Sequence, residues 1–250
     1  TESKWYGFGT LGQNGTNGQI LTYAYDSCKN VMYAGGTFTT VYDSSNIVLS
    51  VNRIAKWNIS TSCWSRLTDS SWNGVDGSCN AFAIDTSNQI LYVGGNFTNV
   101  YSSAGTLATT QKVAKWDINT STWSRLGNST ATTNGLTSTS AYCNALLYDS
   151  SNSRLYVGGN FTKVGDAGQA DQSANNVAYW DISTTRWSKL GANDISNNGV
   201  NLECRTLIYD ASNTQLYVGG DFTVVRDSRS VDITANRVAI WKPSLSKWYG

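Results

Sequence analysis

The chain has 250 residues, of which 14% are charged, with 18 Lys and Arg against 17 Asp and Glu and no histidine. So even a charge argues against a nucleic-acid or anionic-membrane surface, and the missing histidine removes serine triads, most zinc and copper sites and the commonest general base. No apolar run is long enough to span a bilayer, and 10 Trp, 14 Tyr and 23 Gly beside a single Pro favour β-structure with many turns.

From the N-terminus, Ser-Lys-Trp-Tyr-Gly at residues 3–7 returns as residues 246–250. Between these copies, Tyr-Ala-Gly-Gly-Thr-Phe-Thr at 33–39 recurs as Tyr-Val-Gly-Gly-Asn-Phe-Thr at 92–98 and 156–162, and as Tyr-Val-Gly-Gly-Asp-Phe-Thr at 217–223. The first glycines, Gly35, Gly94, Gly158 and Gly219, are spaced 59, 64 and 61 residues apart. The pairs Trp57/Trp64, Trp116/Trp123, Trp180/Trp187 and Trp241/Trp248 keep the same spacing, as do Asp26, Asp85, Asp149 and Asp210. Trp5 matches the second member of a pair, which leaves Trp72 alone outside the register.

All length variation falls between the second Trp of one unit and the Asp of the next, so each unit reads as four short strands. The first precedes the Asp (residues 81–84, 145–148 and 206–209), the second runs through 90–94 and its equivalents, the third leads into the first Trp, and the fourth begins at the second Trp. Asp-Thr-Ser-Asn, Asp-Ser-Ser-Asn and Asp-Ala-Ser-Asn supply Asx turns between strands one and two. No segment has helical periodicity. Four-stranded units repeating every ~60 residues are blades, and their radial packing predicts an all-β, single-domain β-propeller over residues 1–250. The blades fall at about 9–67, 68–126, 127–190 and 191–250, with 1–8 a surplus outer strand, and the array reads as a piece of something longer.

An apolar strand, a double glycine and two aromatics with six residues between them occur in all four units, and this pattern resembles kelch-type propeller repeats. Here the first aromatic is Trp where kelch repeats usually carry Tyr. Leu-Tyr-Val-Gly-Gly-Asn-Phe-Thr, followed by Val-Ala-Lys-Trp-Asp and Trp-Ser-Arg-Leu-Gly, is similar to the kelch-like repeats of large cell-surface proteins of the cortical polarity-marker type. The resemblance covers essentially the whole chain. It implies the propeller fold and leaves function open, since propellers host enzymes, lectins and adaptors.

The double glycines imply close backbone approach between blades, or a bulge ending strand two. The Trp pairs are expected to pack between neighbouring blades, and the repeated aspartates to cap turns. Cys79, Cys143 and Cys204 share one inner-strand position and read as small buried thiols. Cys28 and Cys63 lie in two turns on one face of the same unit, and a disulfide between them is expected. On the other face, the connections from strand four to the next blade and from strand two to strand three converge, and both vary. That variable face is the expected recognition surface for a protein or glycan, with Trp72, Asp166, Asp171, Asp227 and Asp232 as candidate contacts.

Sequons at Asn14, Asn58, Asn96, Asn119, Asn128 and Asn160, a low charge content and the expected disulfide favour an extracellular or cell-surface glycoprotein, with Asn14 and Asn128 the leading acceptors. No catalytic residue, cofactor or metal is expected: the acids are scattered, and the copper chemistry of galactose-oxidase-like blades needs histidine. The leading functional reading is a non-enzymatic structural or adhesive propeller. A lectin-like propeller is the alternative, and a cytosolic kelch adaptor the third. At the ends, either residues 3–7 close a four-bladed ring by pairing in the last blade, which is the preferred arrangement, or the four units form an arc of a larger ring completed by further sequence or another chain. Head-to-tail self-association or tandem units follow from either.

Overall fold

The computed structural model describes residues 7–8, 15–42, 47–68, 73–102, 105–127, 134–165, 171–191, 198–226 and 232–250. Four four-stranded antiparallel sheets follow one another along the chain, each meandering from an inner first strand to an outer fourth. Blade 1 comprises Ile20–Asp26, Val31–Gly36, Ile54–Asn58 and Cys63–Ser65; blade 2, Ser78–Asp85, Ile90–Asn96, Val113–Asp117 and Thr122–Arg125. Blade 3 comprises Tyr142–Asp149, Arg154–Asn160, Val177–Asp181 and Arg186–Lys189; blade 4, Cys204–Asp210, Gln215–Gly220, Val238–Lys242 and Lys247–Tyr249. The fold is the β-propeller that the repeat predicts.

Each device in the repeat has a local cause. The aspartate that ends the first strand turns the chain: Asp85 Oδ1 accepts from Ser87 N and Asn88 N, and its Oδ2 accepts from Asn88 Nδ2. Asp149 and Asp210 make the same three bonds. Turn capping is therefore what this position does. The two tryptophans of a unit face each other across the third and fourth strands, as Trp116 does Trp123, with ring centroids 5.1–5.5 Å apart in the four blades.

The double glycine serves both of its expected purposes. At the second glycine the register shifts by a bulge, and a side chain on Gly95 or Gly159 would overlap the carbonyl of Ser78 or Tyr142 on its own blade. The first glycine receives the next blade. A Cβ on Gly35, Gly94 or Gly158 would strike the sulfur of Cys79, Cys143 or Cys204 respectively. Those three thiols are fully buried.

The core is accordingly divided between blades. One cluster joins Tyr33 and Ile54 of blade 1 to Phe82, Trp116 and Trp123 of blade 2. A second joins blades 2 and 3, and a third joins blades 3 and 4. A fourth, around Trp57, Trp64 and Phe38, belongs to blade 1 by itself and is capped by Phe8, whose ring lies 5.1 Å from Trp57 and 5.9 Å from Trp64. Blade 4 has no cluster on its far side among the described residues. Ile54, Val113 and Val177 begin the third strands of blades 1 to 3 and are 1%, 0% and 0% exposed, whereas their counterpart Val238 is 59% exposed.

That contrast corrects the preferred arrangement of the ends. The outer strand of blade 4 is Lys247–Tyr249, paired to the third strand of the same blade, so the C-terminal copy of the repeated pentapeptide fills the place at which the N-terminal copy was expected to pair; residues 3–6 of that copy lie outside the described residues. The N-terminal Phe8 sits on blade 1. Among the described residues packing runs from blade 1 to 2, 2 to 3 and 3 to 4, and no core cluster joins blade 4 to blade 1, so these four blades form an open arc.

Because Val177 is buried between two blades and Val238 is not, truncating each should give very different costs. Val177→Ala is expected to lower unfolding stability by about 2 kcal/mol, and Val238→Ala by less than about 0.5 kcal/mol in the monomer, read from urea denaturation midpoints.

Candidate interaction face

At one end of every blade the chain builds a second, smaller sheet, which the sequence had suggested only as variable loops. The motif Phe-Thr-x-Val places it. Phe38, Phe97, Phe161 and Phe222 are at most 1% exposed, and the valines three residues on, Val41, Val100, Val164 and Val225, are as deeply buried. These anchors pin three-stranded sheets made of Gly15–Thr16, Thr40–Tyr42 and Val48–Ser50 over blade 1, and of Gly74–Val75, Asn99–Ser102 and Gly105–Thr109 over blade 2. Over blade 3 lie Gly135–Thr137, Lys163–Gly165 and Gln172–Ser173; over blade 4, Gly199–Val200, Val224–Arg226 and Asp232–Thr234. In blades 2 to 4 the connection from the preceding outer strand gives one strand, in blade 1 the segment before its first strand does, and in each the connection between strands two and three gives two. The described parts of both variable segments therefore meet on one face, as predicted, but as β-structure.

Polar side chains tie these small sheets down. Asp76 Oδ1 accepts from Thr98 N and Asn99 N, and Asn17 and Asn201 accept from the equivalent amides of blades 1 and 4. Backbone bonds lace one unit to the next: Val75 N donates to Asn52 O, Leu136 N to Gln111 O and Val200 N to Asn175 O. An Asn-Gly dipeptide precedes each lace. Asn73, Asn134 and Asn198 are 3%, 0% and 2% exposed. Asn73 accepts from Trp123 Nε1, so the indole of one strand is held by the asparagine of the accessory sheet. Sequence reading passed over this dipeptide, although its recurrence at 59, 61 and 64 residue intervals was visible.

The predicted contact residues divide. Trp72, Asp166 and Asp227 lie outside the described residues. Asp171 is exposed beside the blade 3 accessory sheet, and Asp232 is exposed in that of blade 4. The two are not brought together. Asp232 pairs with Arg226, Nε to Oδ1 2.5 Å, which holds its carboxyl below the ordinary value; in so exposed a position the pair adds little stability. Sequence reading also missed a charged group on blade 4, where Arg205 bonds Glu203 at 3.2 Å and Asp221 at 2.7 Å. Among the described residues no three His, Cys, Asp or Glu side chains gather to hold a metal.

The sequons also sort by position. Asn58 and Asn119 lie at the end of the blades away from the accessory sheets, beside the turns before the outer strands; Asn119 is exposed and accepts from Lys29 Nζ, and Asn58 accepts from Thr61 N. Asn58 lies on the wall of a cavity of about 180 Å³ between blades 1 and 2, lined also by Lys29, Tyr33, Lys56 and Trp116. Asn96 is exposed and meets Lys112, while Asn160 is half-buried. Asn14 and Asn128 lie outside the described residues.

The disulfide expected between Cys28 and Cys63 is not formed; all five cysteines are free thiols. Cys28 is exposed in its turn, and Cys63 Sγ donates to Thr61 O. Burial pushes the inner thiols upward: Cys204 rises from the ordinary 9.0 to about 12, and Cys79 and Cys143 rise further. Burial between blades likewise lifts the phenols of Tyr148 and Tyr156 from 10.0 to about 12. Asp85 goes the other way. Burial alone would raise it, but hydrogen bonds from Asn88, Tyr148 and Ser87 outweigh that and hold it below the ordinary carboxylate value.

No protein-family model and no curated protein sequence matches the chain. Solved structures do. The chain is similar to "Structure of U3-55K", with 11% identity and a TM-score of 0.50, over 95% of this chain and 53% of that one. It is equally similar to "Crystal structure of RRP9 WD40 repeats", again with 11% identity and a TM-score of 0.50, over 95% of this chain and 52% of that one. The chain thus spans about half the length of these structures. At this identity the likeness is one of fold, and it agrees with the propeller architecture.

Two outcomes follow from the thiols and phenols. A thiol reagent at mildly alkaline pH should label Cys28 and Cys63 quickly in the native chain, and Cys79, Cys143 and Cys204 only after denaturation; fast labelling of all five in the native state would contradict the interblade packing. Stability should be fully present below about pH 9 and drain as the pH climbs towards 12, because the unfolded chain releases these protons first. Urea midpoints measured across that range read the effect.

Proposed function

We propose that this chain is a non-enzymatic propeller of kelch type that serves as an interaction scaffold, with a structural or adhesive role outside the cell. The observation that carries this reading is the accessory-sheet face. Its anchors repeat from blade to blade, while its connecting residues differ in every unit, so a uniform rigid frame presents four different edges side by side. A protein surface is the partner that such a broad, ordered face fits. The WD40 neighbours support the reading at the level of fold.

Support for an extracellular setting comes from Asn58 and Asn119. Carbohydrate at either would project from the end opposite the accessory sheets and leave that face clear. One observation favours a second reading, an adaptor in a reducing compartment: Cys28 and Cys63 are free thiols, one of them exposed.

The two readings part in intact cells of the natural source. A membrane-impermeant amine label should modify the protein without permeabilisation, and N-glycosidase should reduce its mass, with peptide mapping locating the loss at Asn119 and Asn58. A protein protected from the label, with unmodified asparagines and five free thiols, overturns the extracellular role in favour of the adaptor.

A further inference from the structure

The interface between blades 1 and 2 departs from the other two, and the departure leaves a charged cavity. Between blades 2 and 3 the phenols of Tyr92 and Tyr148 lie with centroids 6.0 Å apart, and between blades 3 and 4 those of Tyr156 and Tyr209 do the same. The second tyrosine of each pair also bonds the turn aspartate of the blade before it, Tyr148 to Asp85 and Tyr209 to Asp149. The asparagine three residues after that aspartate completes the group. Asn88 Nδ2 donates to Asp85, and Asn152 Nδ2 to both Asp149 and Tyr209. Aspartate, asparagine and tyrosine together close one end of both interfaces.

Between blades 1 and 2 two of the three are replaced. Lys29 stands in the place of the asparagine, and Ile84 in that of the tyrosine. Asp26 is fully buried; its Oδ1 accepts from Cys28 N and Lys29 N, and its Oδ2 has no hydrogen-bond partner among the described residues. Lys29 Nζ turns away from it, across the interface, to Asn119 Oδ1 of blade 2. In place of a phenol pair, Tyr33 borders the cavity of about 180 Å³, beside Lys29, Lys56 and Asn58. Charge changes as well. Asn58 occupies the position that is Asp117 in blade 2 and Asp181 in blade 3. With the turn aspartate counted, Asp26, Lys29, Lys56 and Asn58 carry one net positive charge. The equivalent positions carry one net negative charge at each of the other interfaces, from Asp85, Lys115 and Asp117 and from Asp149, Arg154 and Asp181.

We propose that this cavity binds a small organic carboxylate, its anionic end at Lys29 and Lys56 and its apolar body on Leu67, Ile118 and Trp116. Lys29 Nζ bonds a neutral amide, and Lys56 Nζ donates to Leu67 O at 3.4 Å, so both ammonium groups are held at the wall of the cavity. Tyr33 adds a neutral donor, because burial and the charge of Asp26 raise its phenol well above the ordinary 10.0. None of the described lining residues is acidic. Hydrogen bonds from ammonium to carboxylate are about twice as strong as neutral ones and strengthen where water is partly excluded. Phosphate is read by guanidinium forks or by runs of backbone amides, and the described lining offers neither, whereas its apolar wall suits a hydrocarbon body. Pockets for drug-sized ligands run from about 300 to 1,000 Å³, so the occupant is smaller, a short-chain or single-ring acid. The site lies at the end of the blades away from the accessory sheets and is separate from the interaction face.

The test is calorimetric titration of the 250-residue chain with sodium butyrate at low ionic strength, using a host that adds no carbohydrate so that Asn58 is bare. Saturable one-to-one binding with a Kd of about 1 mM or tighter is expected, at least about tenfold tighter than that of neutral butyramide or of inorganic phosphate. Lys29→Gln and Lys56→Gln should each weaken binding by about tenfold or more. Asn58→Asp, which restores the acid of blades 2 and 3, should do the same. Lys115→Gln, the counterpart of Lys56 at the next interface, should bind like wild type. Urea midpoints will show that the variants fold, and Lys29, being exposed, keeps the test decisive if Lys56→Gln does not. Butyrate that never saturates overturns the proposal, as does butyramide or phosphate that binds as tightly. Unchanged affinity in Lys29→Gln or Asn58→Asp, or a loss in Lys115→Gln equal to that in Lys56→Gln, overturns the assignment to this cavity. None of these outcomes depends on where the protein resides or what its accessory sheets bind.

Discussion

The sulfur of Cys143 occupies the space that a side chain on Gly94 would need, and Cys79 and Cys204 stand in the same relation to Gly35 and Gly158. Inner strands can come this close only because one partner has no side chain and the other a small, apolar one. Once the approach is set, the remaining distances in the interface follow. The tyrosines of the second strand reach those of the next first strand, the third-strand valines are covered, and the tryptophan pairs close over the outer half. A blade by itself is a sheet with two apolar faces, and it acquires a core only between neighbours.

Charge has little part in this. The aspartates that recur with the repeat are consumed by turns, each spending its carboxylate on amides two and three residues ahead. The buried asparagines before Gly74, Gly135 and Gly199 do similar work between the blades and the accessory sheets. Such neutral or locally neutralised groups let a chain with few ion pairs bury its irregular connections without orphaned amides. The thiols and phenols that lie between blades are kept protonated by their surroundings.

The four blades, their turns and the double glycines were legible because register repeats in sequence whatever register does in space. The accessory sheets were not. Their strands are two to five residues long and sit mostly in segments where the four units diverge, so alternation does not mark them; only the recurrent Phe-Thr-x-Val and Asn-Gly betray their position. Asn73, Asn134 and Asn198 could have been found by the same comparison that found the aspartates. The pairing of Cys28 with Cys63 failed for a different reason: sharing a turn face places two cysteines in the same region without bringing their sulfurs to bonding distance. Whether the arc closes depends on the angle between successive blades, a quantity no residue spacing encodes. Exposure of Val238 and Tyr23 makes it visible.

The division of the core into clusters, each shared by two adjacent blades, also determines how the molecule comes apart. Among the described residues blade 4 is held on one side alone, so it can peel away while the others stay packed, and melting starts there like a zipper.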